Sequence, residues 1–512
     1  MSDQLLLKKV SLFPLGQVPA GADALLIRDG CIAAMDKEAE LSRRLSPKAQ
    51  IIDLGGRVVL PGFIDTHVHL VETGLLAQEV DLSSAETIGQ VLDLLAQAFP
   101  QRSSPRIFQA HSLDPSQLRE RRYPCVDELD AISPEVPIFV LRRDGHSCAV
   151  NSAFYRLSGL TDQVSGVEVD PASGRPTGTL RAQAMELARK CRARLRDEQD
   201  RGEAICRACW QAVRRGVTTV HAMCAREEDV DLLAELAEEL PVDVVSYLIT
   251  LDVDSVKSRG LRQIGGDLMV DGSLGSHTAA LFEPYADRLG YRGRLYFEEG
   301  PLTEFVARAH GAGLQVALHA IGDRAVEQLL SVYQTVLDRN PREDHRHRIE
   351  HAELLTPGQI RRLAAKGVAL AVQPAFEAFW GGPQGMYARR LGPQRAALTN
   401  PYRSLVAAGV TIAGGSDSFV TPVDPLAGIA AAVNRPQRHR LSVLEAVRTF
   451  TANGAWLGFE EKEKGLLGVG MRADLVILSQ DPRRVPSEDI GKIEIHMVVK
   501  GGRVVVEPEP SG

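Results

Sequence analysis

Two histidines separated by a single residue, His67 and His69, follow a run of apolar residues near the start of the chain. If that run is a β-strand, alternation places both imidazoles on one face, as two ligands of one metal ion must be. Alone, such a pair is a weak signal, because surface turns also contain it. Three more candidate ligands occupy matching positions: His319 and His351 each end a strand-like run, and Asp417 directly follows one.

Between residues 60 and 462, apolar runs of strand type alternate with helix-like segments, a pattern typical of a parallel α/β fold. Eight runs are candidates for barrel strands: Phe63–Leu70, Val217–Ala222, Val242–Ile249, Asp267–Asp271, Leu314–Ala320, Arg348–Ala352, Val368–Pro374 and Val410–Ser416. Eight such units predict a (β/α)8 TIM-like barrel. Because catalytic groups of such barrels gather at the carboxyl ends of the strands, we expect the five candidate ligands to meet there.

Imidazoles with one carboxylate suit a divalent ion of intermediate softness, of which zinc is the first choice and manganese or iron are alternatives. An ion with an open coordination position lowers the pKa of bound water toward about 7 and so provides hydroxide at neutral pH. Asp417 at the eighth strand is well placed both to ligate the ion and to accept the proton of that water. It would then deliver the proton to a leaving nitrogen.

Both chain ends have strand character. Residues 1–59 and 463–512 contain short apolar runs with turn signals, such as Asp29-Gly30 and Gly501-Gly502. Since each piece is too small to bury a core alone, we expect one composite β-sandwich made from both ends. The first two barrel candidates are far apart, which predicts an insertion at about residues 71–200, with strand-like runs of its own such as Ile138–Arg142.

Composition excludes several classes of protein. The chain has 59 basic and 66 acidic residues, a formal net charge of −7, which offers no basic surface to a nucleic acid. It contains no apolar run of about 20 residues and no secretory signal pattern, so we expect no membrane partner and a cytoplasmic location. The seven scattered cysteines suit reduced thiols. The expected partner is a small-molecule substrate, and a homo-oligomer is compatible with the sequence.

The ordered motifs of the chain resemble the amidohydrolase superfamily, and within it the family 3 branch of N-substituted formamide deformylase-like metal-dependent hydrolases. The motifs are Pro61-Gly-Phe-Ile-Asp-Thr-His-Val-His69, Asp144-Gly-His-Ser147, Asp271-Gly-Ser-Leu-Gly275, Leu318-His-Ala-Ile-Gly-Asp-Arg324, Arg348-Ile-Glu-His351, Gly415-Ser-Asp417 and Gly470-Met-Arg-Ala-Asp474. The resemblance implies a hydrolase of carbon–nitrogen bonds other than peptide bonds. It also implies that His67, His69, His319, His351 and Asp417 form the metal centre.

One residue departs from the family pattern. Where members often carry a lysine whose carbamate bridges two metal ions, this chain has Asp267. An aspartate side chain is several ångströms shorter, so we expect its oxygens to end short of the bridging point and Asp267 to be a salt-bridged residue outside the metal ligands. The prediction is one ion held by His67, His69, His319 and Asp417. His351 then either completes the ligand set or hydrogen-bonds the substrate oxygen. Two ions bridged by water or by another lysine are the alternative.

Two further residues are candidates for substrate contact. His146, in Asp144-Gly-His-Ser147, lies in the segment that approaches the pocket in the resembled family, although a structural histidine explains it equally well. Trp380 belongs to an aromatic stretch after the seventh strand that also contains Phe376 and Tyr387. Such a stretch could cover the substrate or pack on the barrel rim.

Three hypotheses for function follow. The first is hydrolysis of an amide, N-formyl or N-acyl amine by activated hydroxide, with Asp417 as the proton shuttle. The second keeps the metal site but deaminates a heterocycle or opens a cyclic amide, because specificity depends on loops. The third is a non-catalytic barrel that serves as an interaction protein, which the complete set of ligand candidates disfavours.

Overall fold

The protein, described here from a computed structural model, is an α/β protein built around a barrel. The structure describes residues 4–101, 107–194, 198–436 and 438–507. Eight parallel strands follow one another around the sheet in chain order. Their bounds are Phe63–Val68, Val217–Cys224, Asp243–Leu248, Gln263–Ile264, Gln315–Ala320, Arg348–His351, Ala369–Val372 and Ile412–Gly414. The predicted TIM-like barrel is confirmed.

The barrel is nearly closed between its first and eighth strands. The Thr66 hydroxyl donates a hydrogen bond to the Gly414 carbonyl, and Val68 forms an isolated parallel bridge with Ser418. Almost every residue of the eight strands is buried, as expected for a parallel sheet that is covered on both faces. Seven of the eight predicted strands coincide with observed strands to within two residues at each end.

The prediction for the fourth strand, Asp267–Asp271, is wrong. The strand is the two-residue Gln263–Ile264, in which Ile264 pairs with Leu248 and Val316. Gly265 and Gly266 follow with φ angles of +92° and +52°, so the backbone leaves the extended conformation there. Residues 267–271 then run along the mouth of the barrel, where Met269 forms an isolated bridge with His319. The glycine pair before this apolar run is a breaker of regular structure and separates it from the strand.

Helices surround the barrel strands: Leu70–Leu76, Glu198–Arg214, Glu227–Leu236, Val253–Ser258, Glu299–Gly311, Asp323–Arg339, Pro357–Lys366, Tyr402–Ala407, Pro425–Val433, Val443–Thr449 and Ala452–Leu457. Local sequence explains their ends. Pro357–Lys366, for example, begins at the capping box of Thr356 and Gln359 and ends at Gly367 in the left-handed conformation. Three short helices follow the seventh strand: Phe376–Trp380, Met386–Leu391 and Pro393–Ala396.

Two further sheets are built from the chain ends, and one of them combines strands from both ends. One sheet contains Gln4–Lys8, Ala24–Arg28, Cys31–Asp36 and Gln50–Asp53, and the short helix Glu38–Ser42 packs on it. The other combines Ser11–Leu12 and Val58–Pro61 with Leu475–Leu478, Ile495–Lys500 and Arg503–Val506, and the 3₁₀ turn Ser487–Lys492 precedes its fourth strand. One apolar cluster unites residues of both ends, including Leu7, Val59 and Ile477.

A separate mixed sheet lies between the first and second barrel strands. Its six strands are Val80–Asp81, Phe108–Leu113, Ile138–Arg142, Ser147–Val150, Val167–Val169 and Pro176–Arg181. The helices of this segment are Ile88–Ala98, Val126–Asp130, Ser152–Ser158 and Ala182–Ala193, with a 3₁₀ turn at Phe99–Gln101. This sheet brings the Asp144-Gly-His-Ser147 turn, between its third and fourth strands, to the mouth of the barrel.

Candidate metal centre

The five candidate ligands meet at the carboxyl-terminal mouth of the barrel, and Asp267 joins them. Among the described residues, three overlapping groups bring their ligand atoms within 4.8 Å of one another. The groups are His67, His69 and Asp267; His67, His351 and Asp417; and Asp267, His319 and His351. Each residue lies at or just after the end of a barrel strand, as the sequence led us to expect for the first five.

The first and eighth strands supply one side of this centre. Asp417 Oδ1 lies 3.3 Å from His67 Nε2 and 3.2 Å from His69 Nε2. His67 is fully buried, whereas the side chains of His69 and Asp417 remain slightly exposed. Two imidazole nitrogens and a carboxylate oxygen therefore face a common point, which is the donor set that zinc and similar ions bind.

The fifth and sixth strands supply the other side. Asp267 Oδ1 lies 3.0 Å from His319 Nδ1 and 3.4 Å from His351 Nε2. Both imidazoles are at most 2% exposed. His351 Nε2 and His319 Nδ1 therefore face the same carboxylate oxygen.

Three of the histidines have an acceptor at their outer nitrogen. His67 Nδ1 lies 2.8 Å from Glu350 Oε2, His351 Nδ1 lies 2.7 Å from Gln373 Oε1, and His319 Nε2 lies 3.3 Å from the carbonyl of Gly272. A proton on each outer nitrogen leaves the inner nitrogen with a free lone pair. Partners of this kind orient metal-ligating imidazoles and fix their tautomers.

The residues present fit a metal ion. Among the described residues, His67 Nε2 is a buried atom without a hydrogen-bond partner, although it points at the centre of the cluster. A buried polar atom normally has a partner, and an ion at this point would provide one. We conclude that His67, His69, His319, His351, Asp417 and Asp267 could hold a metal ion.

The electrostatics of the cluster favour positive charge at its centre. Burial alone would lower the pKa of His67, but Asp417, Glu350 and Asp267 raise it well above the usual range. Burial would likewise raise the pKa of Asp417 and of Asp267, yet the neighbouring histidines hold both below their ordinary values. Both carboxylates are therefore ionised at neutral pH.

Two of the ligand candidates have unusual backbone conformations. His351 and Asp417 have φ angles of +70° and +54°, in the left-handed region that residues other than glycine rarely adopt. Such conformations cluster at functional sites, because the surrounding structure must hold them. His351 is the last residue of the sixth strand and Asp417 lies three residues after the eighth, so the backbone turns where both side chains meet the cluster.

A buried ion pair behind His67 was missed by sequence reasoning. Arg348 and Glu350 are both fully buried and hydrogen-bonded to each other, and Arg348 also donates to the Thr66 carbonyl and stacks over Tyr247. The signal that could have found them is their spacing, because residues 348 and 350 alternate with Ile349 on one strand and so point into the barrel. Charged residues that point into a barrel need partners.

Asp271, the first residue of the Asp271-Gly-Ser-Leu-Gly275 motif, has a structural role. Its carboxylate accepts hydrogen bonds from the backbone amides of Ala280, Ile321 and Gly322, so it ties the segment after the fourth strand to the end of the fifth. Burial raises its pKa to about 6 despite those bonds. This residue therefore positions the backbone around His319.

One cavity reaches the cluster, and a second, larger cavity shares His146 with it. A small inner cavity of about 20 Å³ is lined by His351 and Asp417 together with His146, Glu353 and Trp380. An outer cavity of about 470 Å³ is also lined by His146, together with Met269, Arg189 and Arg294. The ring of His146 lies 5.4 Å from that of His319, and burial lowers its pKa to about 3, so this imidazole is neutral.

Trp380 lies in a helix and is buried. Its side chain packs edge-on against Phe376, and its indole nitrogen donates to Asp114 Oδ2 at 3.2 Å. The aromatic stretch after the seventh strand is therefore ordered, and it forms one wall of the inner cavity.

Among the described residues, no helix combines the length and the apolar character that crossing a membrane requires.

Comparison with known proteins gives consistent results. A model described as the amidohydrolase family matches residues 50–506. The N-substituted formamide deformylase of Arthrobacter pascens is 26% identical over 93% of this chain and 93% of its own length, and the protein LONG AFTER FAR-RED 3 of Arabidopsis thaliana is 30% identical over 94% and 88%. A crystal structure of a metal-dependent hydrolase from Pyrococcus horikoshii superposes with a TM-score of 0.75 at 28% identity, covering 95% of this chain and 99% of that one.

Proposed function

Because the chain belongs to the amidohydrolase family and is a hydrolase, we propose that it hydrolyses the carbon–nitrogen bond of an N-formyl or N-acyl amine with the help of a divalent metal ion. The observation that carries the proposal is the convergence of four imidazoles and the Asp417 carboxylate at the barrel mouth. Zinc suits these donors best, with manganese or iron as alternatives. When bound, the ion supplies hydroxide near neutral pH and polarises the substrate carbonyl.

Asp417 is the proposed proton shuttle. Its carboxylate is ionised, lines the inner cavity and lies beside His67 and His69, so it can accept the proton of an attacking water. It then returns that proton to the nitrogen that leaves as the amine. Proton transfer by a positioned group of this kind contributes a factor of about 10² to 10⁴ to the rate.

The sizes of the two cavities favour a substrate with a small acyl group and a larger amine. The inner cavity, at about 20 Å³, has room for roughly one water molecule or one similarly small group beside His351 and Asp417. The outer cavity, at about 470 Å³, is large enough for the substituent on nitrogen. Neutral His146 stands between them and is proposed to hydrogen-bond the substrate, while Trp380 closes the inner side.

A reducing location is also proposed. All seven cysteines lie in the described part of the chain and are free thiols there. Unpaired thiols in this number are typical of cytoplasmic proteins.

A hydrolysis screen tests the function. Zinc-, manganese- and iron-loaded protein is offered N-formyl amines, N-acetyl and N-butyryl amines, cyclic amides and aminated heterocycles, and amine, acid or ammonia release is measured. We expect release of amine and acid, with kcat/KM highest for the formyl compounds. Hydrolysis of cyclic amides or deamination alone would reassign the reaction, and no turnover with any metal would refute the proposal.

A further inference from the structure

Asp267 touches both sides of the metal centre. Its Oδ1 lies 3.0 Å from His319 Nδ1 and 3.4 Å from His351 Nε2, and its Oδ2 lies 3.5 Å from His69 Nε2. Oδ1 is also 3.8 Å from His67 Nε2. The carboxylate therefore lies between the pair of histidines on the first strand and the pair on the fifth and sixth strands.

We expected the oxygens of Asp267 to end several ångströms short of a bridging point, whereas its carboxylate lies 3.0 to 3.8 Å from four histidines, and the backbone gives the reason. The length of the side chain decides its reach only if residue 267 lies within the predicted strand Asp267–Asp271. Instead, the strand ends at Ile264, and the left-handed conformations of Gly265 and Gly266 carry the chain into the barrel mouth before residue 267. Close approach of the backbone compensates for the missing length of the side chain.

The spacing of the donors matches ligands of metal ions. Ligands about 2.0 to 2.2 Å from one tetrahedral ion lie about 3.3 to 3.6 Å from one another. The distances from Asp417 to His67 and His69 and those from Asp267 to its four histidines are all between 3.0 and 3.8 Å. Within the described residues, the six donors form overlapping groups rather than one group with all members within 4.8 Å, and Asp267 belongs to two of them.

A lysine carbamate is not needed to connect the overlapping groups of donors, because the Asp267 carboxylate already belongs to two of them. Lys464, a buried lysine that packs against the barrel, is bonded to Asp243, Glu460 and Thr219. A carboxylate has two oxygens that can bind two cations at once, whereas a lysine must first react with carbon dioxide to gain the same oxygens. Asp267 carries its negative charge permanently.

We propose that Asp267 bridges two metal ions, one held with His67, His69 and Asp417 and the other with His319 and His351, so that the centre assembles with two ions and without carbon dioxide. This inference rests on the metal dependence in the proposed function and replaces the expectation of a single ion. Asp267 Oδ1 lies nearer to His319 and His351 than to His67, whereas Oδ2 faces His69, so Oδ1 would serve the second ion and Oδ2 the first.

Metal counting tests the bridge without any substrate. Protein stripped with a chelator is reconstituted with excess zinc in buffer freed of carbon dioxide and, in parallel, in the same buffer with bicarbonate. Bound metal is then measured by mass spectrometry after removal of free ion. We expect about two ions per chain in both buffers. One ion per chain, or a second ion that appears only with bicarbonate, would overturn the proposal.

The Asp267→Asn variant tests the residue itself. It keeps the shape of the side chain but removes its charge, so we expect the count to fall to about one ion per chain. The control is Asp252→Asn, at the N-cap of helix Val253–Ser258 in the preceding barrel unit, which should keep two ions. Circular dichroism verifies that both variants fold.

Manganese provides a second signature. Wild-type protein loaded with Mn²⁺ should give the electron paramagnetic resonance spectrum of a spin-coupled pair, and Asp267→Asn that of an isolated ion. A variant that retains two coupled ions would overturn the role of Asp267. The metal count does not depend on the hydrolysis screen, so a failed screen refutes the proposed hydrolysis and not the bridging role of Asp267. Amide hydrolysis by protein that holds one ion per chain refutes the bridging role and not the proposed hydrolysis.

Discussion

The imidazole of His67 and the carboxylate of Glu350 form a hydrogen bond of 2.8 Å in which both side chains are fully buried. Glu350 is held in turn by Arg348, which reaches back to the Thr66 carbonyl. The chain of contacts from Arg348 to His67 thus fixes the orientation of one proposed ligand from behind, which is the usual arrangement at metal sites.

Replacing Glu350 is expected to weaken metal binding. Glu350→Gln removes the charge that orients His67 and leaves Arg348 buried without its ionised partner. Loss of such a supporting residue typically lowers metal affinity about 10- to 100-fold. Competition with a chromophoric chelator measures the affinity.

A second glutamate–arginine pair supplies the control. Glu461 binds Arg346 through two hydrogen bonds of 2.9 and 2.8 Å, and Arg346 also contacts the Trp456 carbonyl. Glu461→Gln should cost stability without changing metal affinity. Equal losses of affinity in the two variants would mean that the effect of Glu350→Gln is general destabilisation.

Asp417 is expected to control turnover. Asp417→Asn keeps an oxygen near His67 and His69 but cannot accept a proton, so kcat should fall by a factor of about 10² to 10⁴. Metal content is measured on the same preparation. Undiminished kcat in a variant that retains its metal would refute the proposed proton shuttle.

Trp380 is expected to act on substrate binding. Trp380→Phe makes the inner wall smaller and removes the hydrogen bond to Asp114. A loss of about 1 kcal/mol of contact energy corresponds to roughly a five-fold rise in KM, with kcat nearly unchanged. Steady-state kinetics on the substrate found by the screen provides the measurement. Phe379→Leu is the control, because that ring lies under the guanidinium of Arg143, and the same change in KM there would refute the assignment.

Acid is expected to weaken the contact between the barrel and the carboxyl-terminal strands. Burial would raise the pKa of Asp243, at the start of the third barrel strand, but Lys464 and Lys500 lower it to about 2. Because the folded pKa lies below the unfolded value of about 4, this carboxylate stabilises the fold above pH 4. The stabilisation is lost as the pH falls toward 2 and amounts to about 2 kcal/mol.

Denaturant unfolding between pH 2 and 7 measures this effect. Asp243→Asn should lower the free energy of unfolding at pH 7 and flatten its decline below pH 4. Asp338→Asn, which removes a more exposed ion pair with Lys366, should leave the decline intact. An unchanged acid profile in Asp243→Asn would contradict the assignment.

The parts of the molecule that follow from periodicity could be predicted from the sequence. Alternation along the first strand places His67 and His69 together, and the rule that barrel strands end at one face brings His319, His351 and Asp417 to them. What could not be predicted depends on backbone geometry and on contacts between distant strands. Glu350 and His67 are 283 positions apart in the sequence, and no local sequence pattern indicates that they are in contact.

The position of Asp267 is the clearest example of what the sequence could not predict. The sequence gives the length of its side chain, but the distance of its carboxylate from the other ligands depends on where the backbone runs. Two glycines decide that path, and their φ angles cannot be read from composition. A glycine pair directly before an expected strand should therefore be treated as evidence that the strand ends there.

The glycine pair gives the last prediction. Gly265 has a φ of +92°, and a Cβ added there would lie 2.3 Å from the carbonyl oxygen of Ala317 on the neighbouring strand. Gly265→Ala should therefore both destabilise the fold and displace Asp267. Gly260→Ala is the matched control, because Gly260 also has a positive φ, of +67°, but a Cβ there meets nothing within 4 Å.

Both alanine variants incur the left-handed conformational cost of about 1 to 2 kcal/mol, and the clash should add about 1 to 3 kcal/mol in Gly265→Ala alone. Denaturant unfolding of the metal-free proteins measures the difference. Metal counting should then give two ions per chain for Gly260→Ala and fewer for Gly265→Ala. Equal stability and equal metal content in the two variants would mean that the path of the backbone after the fourth strand does not position Asp267.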